Sequence, residues 1–288
     1  MGILAEIGDD PKPKRPWALQ DLPPFHPVAR KLMLLAARDD VPLTRVEQVL
    51  RTDAAFASEV LRLANSPLIA TRGGITSILQ AVALLGVDHI KKLATTLVLR
   101  TFLTTGTVRD SLRGCWHHNL ATALICERLG HSVHLDSETC YTAGLLHDIG
   151  RLALLRTYPG KYERILAIKG VNDLDLLQLE KAEFDIDHCQ AGAWILEQWE
   201  FPKELSQVAS LHHRRPANGE LGLLPVVYAG CRIADLSGFS VGNQRVSGDI
   251  AEIADVLPDK ARQQVIGEFD GLAEEVAFKI NAIECALV

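Results

Sequence analysis

An all-α fold is predicted by three features of this sequence. Leu and Ala, both strong helix formers, dominate a chain that is 48% hydrophobic but only 6% aromatic. From Val28 onward, apolar residues recur three and four positions apart, the spacing of a one-sided helix. No segment alternates apolar and polar residues long enough to read as a strand. At 288 residues, the chain can bury a sizeable core without disulfides or a structural metal.

The elements follow in order. The opening "IGDDPKPKRPWALQDLPPFHP" mixes charges with six prolines, which repeatedly block helix continuation, so residues 1–21 read as a linker-like arm. Such an arm suits the output part of a longer protein, although Met1 equally suits a true start. In "VARKLMLLAARD", Val28, Leu32, Leu35 and Ala36 share one helical face. "TRVEQVLRTDAAFASEVLRLANSPL" holds two short helices and stops at Asn65-Ser66-Pro67. "ITSILQAVALLG" has cap candidates in Thr76 and Ser77 and a terminal glycine in Gly86. "VDHIKKLATTLVLRTFL" completes a helical unit over 22–105, and "TTGTVRD" at 104–110 marks a seam. A second unit over 106–240 begins with "SLRGCWHHNLATALICERLG", ending at Gly130. It continues through "GKYERILAIKG", "DLLQLEKAEFD", "HCQAGAWILEQWEFP", "KELSQVASLHH" and "LLPVVYAGCRIADLSG". Residues 241–288 add amphipathic helices with acidic outer faces.

Composition narrows the function classes. The net charge of -6 argues against a broad nucleic-acid surface, which needs Lys and Arg to neutralise phosphates. The small basic clusters "RLANSPLIATRG" and "HHRRP" lack an aromatic platform and read as solvated surface. No apolar run approaches the roughly 20 residues that span a bilayer, and no basic-then-apolar leader opens the chain. The expectation is a protein neither secreted nor membrane-embedded. Cys115, Cys126, Cys140, Cys189, Cys231 and Cys285 form no C-x-x-C pair and read as small buried hydrophobes in a reducing, cytoplasmic compartment.

Within "AGLLHDIGRLAL", a His-Asp pair interrupts residues that otherwise ask for burial. His118, His147, Asp148, His188, His212, His213 and Asp235 each fall on, or at the end of, an apolar helical segment. One histidine on an apolar face is ordinarily a hydrogen-bonded core residue, but this many inward His and Asp on separate helices point to metal. Imidazole with carboxylate suits one or two divalent ions, Fe, Mn, Ni or Zn, and no thiolate set suggests a structural zinc site. Neighbours on a helix face different ways, so His147 and Asp148 are expected to serve two ions. Asp148 would bridge, with His147 on one side and His188, His212 or His213 on the other, while His118 and Asp235 close the first ion's shell. The competing reading of His212-His213 is a pair held by the helix C-terminal dipole. His117 is set aside because it faces away from His118, and His26, His89, His131 and His134 are expected to face solvent.

The order His118, "HD" at 147–148, His188, "HH" at 212–213 and Asp235 resembles the HD metal-dependent phosphohydrolase superfamily. Within it, "LRLANSPLIATRGGITSILQAVALLGVDHIKKL" and "CWHHNLATA" look like the HDOD (HD-related output domain) branch of bacterial signalling proteins, over roughly residues 22–237. That resemblance implies a multi-helix bundle, with an HD-like C-terminal subdomain packed on an N-terminal helical one. It implies a regulatory output module, often coupled to response regulators, that acts through a protein partner in a signalling pathway. The related HD-GYP phosphodiesterases carry a Glu and a Gly-Tyr-Pro motif after the paired histidines, and "HHRRPANGELGLLP" has neither. Gly114 stands where some of them have a further ligand Glu, and Asp185 replaces a small residue expected near the pocket mouth. The basic residue after their HD falls on Arg151, whose implied role is to hold substrate phosphate; a helix-surface charge is the other reading. The alternative function is a metal-dependent phosphohydrolase or phosphodiesterase acting on a nucleotide or other phosphate ester. Asp148 and Asp235 would then orient the water, and a phosphate-containing ligand would join the partner list.

Overall fold

Helix stops and caps fall close to the punctuation in the sequence. The computed structural model describes residues 16–20, 27–36, 41–65, 74–101, 110–217, 219–242 and 248–287. Among these there is no strand. A 3-10 helix, Trp17–Leu19, precedes α1 (Pro27–Ala36), α2 (Leu43–Leu50), α3 (Ala54–Ala64) and α4 (Ile78–Thr101). Then follow α5 (Asp110–Ser132), α6 (Ser137–Leu146), α7 (Ile149–Thr157), α8 (Pro159–Leu166) and α9 (Asp173–Phe184). The chain ends with α10 (His188–Gln198), α11 (Lys203–Leu211), α12 (Leu223–Ala234), a π-helical turn (Asp235–Phe239), α13 (Ile250–Ala254) and α14 (Asp259–Leu287).

Helices α1, α2 and α3 all pack on α4, burying Leu32, Val46, Leu50, Val60 and Ile90. Gly86 ends the first helical stretch of α4, as expected. It kinks α4 with φ 78° and ψ 159°, a conformation open to glycine, and the helix resumes beyond it. The predicted stop at Asn65 has a side-chain cause. Asn65 Nδ2 donates to Leu61 O and Ile75 O, both at 2.8 Å, and its Oδ1 accepts from Ile75 N at 2.7 Å. Asn65 therefore ends α3 and ties it to the approach to α4. Ser66 and Pro67 lie outside the described residues, as does most of the 104–110 seam.

Among the later helices α5 is central, with α6 and α12 packed against it. It runs two residues past Gly130, the predicted stop. The first four helices meet the later ones where α4 packs on α6 and α14 on α3. Lys92 on α4 pairs with Glu127 and Glu138 of α5 and α6, and the buried hydroxyls of Thr96 and Tyr141 lie 3.1 Å apart. Within the expected arm, Trp17–Leu19 packs on α7, with Ala18 and Leu19 fully buried. Trp17 Nε1 donates to Asp185 Oδ2 at 2.8 Å, and its ring meets the edge of Tyr158. No helix among the described residues is long and apolar enough to cross a membrane.

Replacing Asn65 by Ala removes three bonds worth about 0.5–1.5 kcal/mol each. Urea unfolding of Asn65→Ala is expected to show a loss of about 1–3 kcal/mol, with Asn65→Asp, which keeps only the acceptor, in between. A loss below about 0.5 kcal/mol for Asn65→Ala would remove this side chain from the account of how α3 ends.

Candidate metal centre

His147 and Asp148 occupy the two-residue break between α6 and α7. His147 is still helical, but Asp148 departs to φ -110° and ψ 22°. The break corrects the expectation that the pair faces apart. A ligand atom of His147, one of Asp148 and one of His212 all lie within 4.8 Å of one another, and all three residues are buried.

Backbone carbonyls orient the two imidazoles. His147 Nδ1 donates to Gly144 O at 2.6 Å, and His212 Nδ1, just past the end of α11, donates to Ala209 O at 2.9 Å. Each bond leaves Nε2 with its lone pair free for another partner. Both Nε2 atoms and both Asp148 oxygens are buried without a hydrogen bond. Such orphaned atoms each cost about 1–3 kcal/mol, so several around one point need a common partner. Two imidazole nitrogens and a carboxylate are a fitting set for a divalent transition metal.

The other predicted residues surround this nucleus. His118 on α5 lies with its ring centroid 5.3 Å from that of His147. Its Nδ1 is 3.0 Å from Phe239 O and 3.4 Å from Asp235 Oδ1. Asp235 opens the π-turn after α12, the kind of irregularity that re-aims side chains at functional sites. His188, the first residue of α10, places Nε2 at 3.3 Å from Asp148 Oδ1 and 2.9 Å from His213 Nε2. His213 Nδ1 is 3.3 Å from Asp173 Oδ2. Gly150 permits this approach of α7 to α10: a Cβ there would stand 2.0 Å from His188 O and 2.5 Å from Gly192 N.

Arg151 is not a surface charge. It is buried, with Nε 2.8 Å from Asp148 Oδ2 and Nη2 3.4 Å from His188 Nε2. The contact with Asp148 is ionic; its geometry falls short of a hydrogen bond. Glu180, Asp173 and Arg232 were missed from sequence. Glu180 accepts from His188 N and His188 Nδ1, each at 2.7 Å, and from the Tyr162 hydroxyl, so it holds the His188 ring by the nitrogen facing away from Asp148. Its signal was present: Leu176, Glu180 and Phe184 form the buried stripe of α9, a carboxylate at a core spacing. Asp173 pairs with Arg232 beside His213. Cys231 Sγ lies 3.6 Å from His118 Nε2, and Cys189 Sγ 3.9 Å from His212 Nδ1. Burial pushes both thiols up, which keeps them neutral.

Of the histidines set aside, His117 Nε2 donates to Glu284 Oε1 at 2.9 Å. His89, His131 and His134 are exposed and His26 lies outside the described residues. Asp185 is the left-handed C-cap of α9, at φ 60°, and anchors Trp17.

Burial pushes His147 down to about 3 and His213 to about 4, and it depresses His212 as well. Burial also disfavours charge on Asp148, yet Arg151 and His188 outweigh it and hold the carboxyl well below its usual range. His188 is opposed by burial but raised by Glu180. Burial raises the Asp235 carboxyl, against His118 and Arg232.

The HDOD domain family model matches residues 22–215. A solved HDOD domain protein of unknown function from Geobacter sulfurreducens superposes with a TM-score of 0.71 at 21% identity, covering 90% of this chain and 93% of that one. The cyclic-di-AMP phosphodiesterase PgpH of Bacillus subtilis (strain 168) is 28% identical over 160 residues, 56% of this chain and 20% of that protein. An uncharacterized protein of Treponema pallidum (strain Nichols) is 20% identical over 200 residues, 69% of this chain and 39% of that one. The chain therefore spans well under two thirds of the length of both curated relatives.

Gly150→Ala forces α7 from α10 and is expected to cost at least about 1–3 kcal/mol, as overpacking does, read by thermal or urea unfolding; an unchanged midpoint would contradict the backbone contact. The metal-free centre also sets a pH dependence. His147, His212 and His213 are held neutral below their unfolded value of about 6.5, so their contribution to stability is present above that value and fades as pH falls towards 4 and 3. His188, raised instead, is protonated in both states below about 6.5 and drops out of that window. In chelator-treated protein, stability should fall from pH 6.5 to 4.5, less steeply in His147→Asn; equal slopes would exclude His147 as a buried neutral imidazole.

Proposed function

The chain belongs to the HDOD family, and we propose that it is a regulatory signal-transduction output domain that has kept a working HD-type metal centre. The observation that carries this reading is the closure of the centre. His118, His147, Asp148, His188 and His212 are at most 3% exposed, and Arg151 is engaged with Asp148. Turnover of a phosphate ester needs open coordination positions and room for substrate beside the metal, whereas a buried ion that joins α5, α6, α7, α10 and α11 sets the relative placement of helices. The residues that would hold the ion are His147, Asp148 and His212, with His118, Asp235, His188 and His213 around them. Its identity is Fe, Mn, Ni or Zn by the donor set. A protein partner in a cytoplasmic signalling pathway, such as a response regulator, would read the helical faces.

A second reading, a metal-dependent phosphohydrolase, is favoured by the orphaned ligand atoms and by the similarity to a cyclic-di-AMP phosphodiesterase. A bound divalent ion would bring the pKa of a coordinated water towards about 7 and polarise a phosphoryl oxygen. Asp148 and Asp235 would orient that water, and Asp235, raised by burial, is the carboxyl better suited to hold a proton.

Elemental analysis of protein purified without added metal should find a bound divalent ion that is lost from Asp148→Ala and His147→Ala. A phosphatase and phosphodiesterase screen with manganese or iron should stay at the blank. Turnover that disappears in Asp148→Ala would establish the second reading instead, and protein free of metal in every preparation would sink both.

A further inference from the structure

We propose that the short N-terminal helix Trp17–Leu19 is a detachable strap, with Trp17 as a positioning residue that sets how firmly the turn between α9 and α10 presents His188. This goes beyond the regulatory reading above and stands on contacts within the chain, so it holds whether or not a metal is bound. Trp17 lies upstream of residues 22–215, the part that the family model matches. Asp185 stands where the resemblance calls for a small residue. The two departures meet: Trp17 Nε1 donates to Asp185 Oδ2 at 2.8 Å.

Two routes lead from Trp17 to His188. The first is the backbone. Asp185, at φ 60° and ψ 4°, caps the end of α9, and residues 185–187 are the whole connection to α10. Glycine adopts that left-handed conformation more readily than Asp; what Asp185 adds is the carboxylate that Trp17 grips. Two residues on, Asp187 caps α10 by accepting from Gln190 N at 2.8 Å. His188 N then donates to Glu180 Oε2 at 2.7 Å. The second route is the aromatic layer. The Trp17 ring meets Tyr158 with centroids 5.7 Å apart, Tyr158 stacks on Phe184 at 5.4 Å, and Phe184 stacks on Tyr162 at 6.0 Å. The Tyr162 hydroxyl donates to Glu180, which accepts from His188 Nδ1.

One end of both routes is open to solvent and the other is not. Glu180 and His188 are fully buried, whereas the indole of Trp17 is 42% exposed and its hydrogen bond to Asp185 is exposed. The strap is a three-residue helix with no side-chain cap at Pro16, and Ala18 and Leu19 supply its burial. Segments with few buried contacts and exposed hydrogen bonds open locally, well below the cost of global unfolding. Trp17 is thus the accessible handle by which an event at the N-terminal end of the chain reaches a buried imidazole.

Hydrogen–deuterium exchange of the full chain, treated with chelator and followed by mass spectrometry, tests this. In Trp17→Ala, the amides of residues 17–20 and those of His188 and Gln190 should exchange about tenfold faster or more, as local opening requires, with α14 unchanged. Trp17→Phe, which keeps a ring and loses the donor, should show a smaller rise at the same amides. Asp185→Asn, which keeps an acceptor and tolerates the left-handed backbone, should exchange as the wild type does. Faster exchange confined to residues 17–20 overturns the proposal, and so does a rise shared equally by α14, which marks general destabilisation. Should Trp17→Ala not fold, wild-type rates at His188 and Gln190 in Trp17→Phe overturn it alone. None of these outcomes bears on the metal reading, because no metal is present in the samples.

Discussion

A carboxylate buried at a helix break is the constraint on which the rest of this structure depends. Removing Asp148 from water is costly unless opposite charge and polar groups surround it, and the fold spends several elements on that task. Arg151 lies one turn further along α7, His188 arrives from α10 because Gly150 lets the two backbones touch, and His212 is set by the end of α11. Around these lies a further ring in which Glu180 holds the outer nitrogen of His188 and Asp173 lies beside that of His213. The same aromatic layer that carries Glu180, in which Phe184 stacks with Tyr158 and Tyr162, seats Trp17 at its edge. The N-terminal segment thus packs on the helices that shape the centre.

Much of this was legible in the sequence because local chemistry decides it. Asn65 announces the end of α3 by bonding backbone groups. The seven His and Asp were visible as polar interruptions of apolar faces, and the chain brings them close together. Gly86 was legible as a helix stop, and its φ of 78° and ψ of 159° part α4 into two helical stretches.

What escaped the sequence depends on single dihedrals or on tertiary burial. His147 and Asp148 share a side only because ψ of Asp148 leaves the helical region, which no periodicity rule reports. The alternative reading of Arg151 as a surface charge assumed that α7 has a surface; residues 149–155 are all buried, and a helix covered on every side leaves a charge nowhere to go but inward. Glu180 could have been found, since it lies midway between Leu176 and Phe184 at four-residue spacing. Cys189 and Cys231 read correctly as buried thiols, but nothing local placed them against His212 and His118.

The central claim is that the orphaned atoms of His147, Asp148 and His212 share a single missing partner. Anomalous diffraction at the manganese edge, from crystals grown with Mn(II), tests it most directly. The account predicts one strong peak in contact with the Nε2 atoms of His147 and His212 and with the Asp148 carboxylate. A difference map without a peak there, at full manganese exposure and with those three side chains ordered, would contradict it.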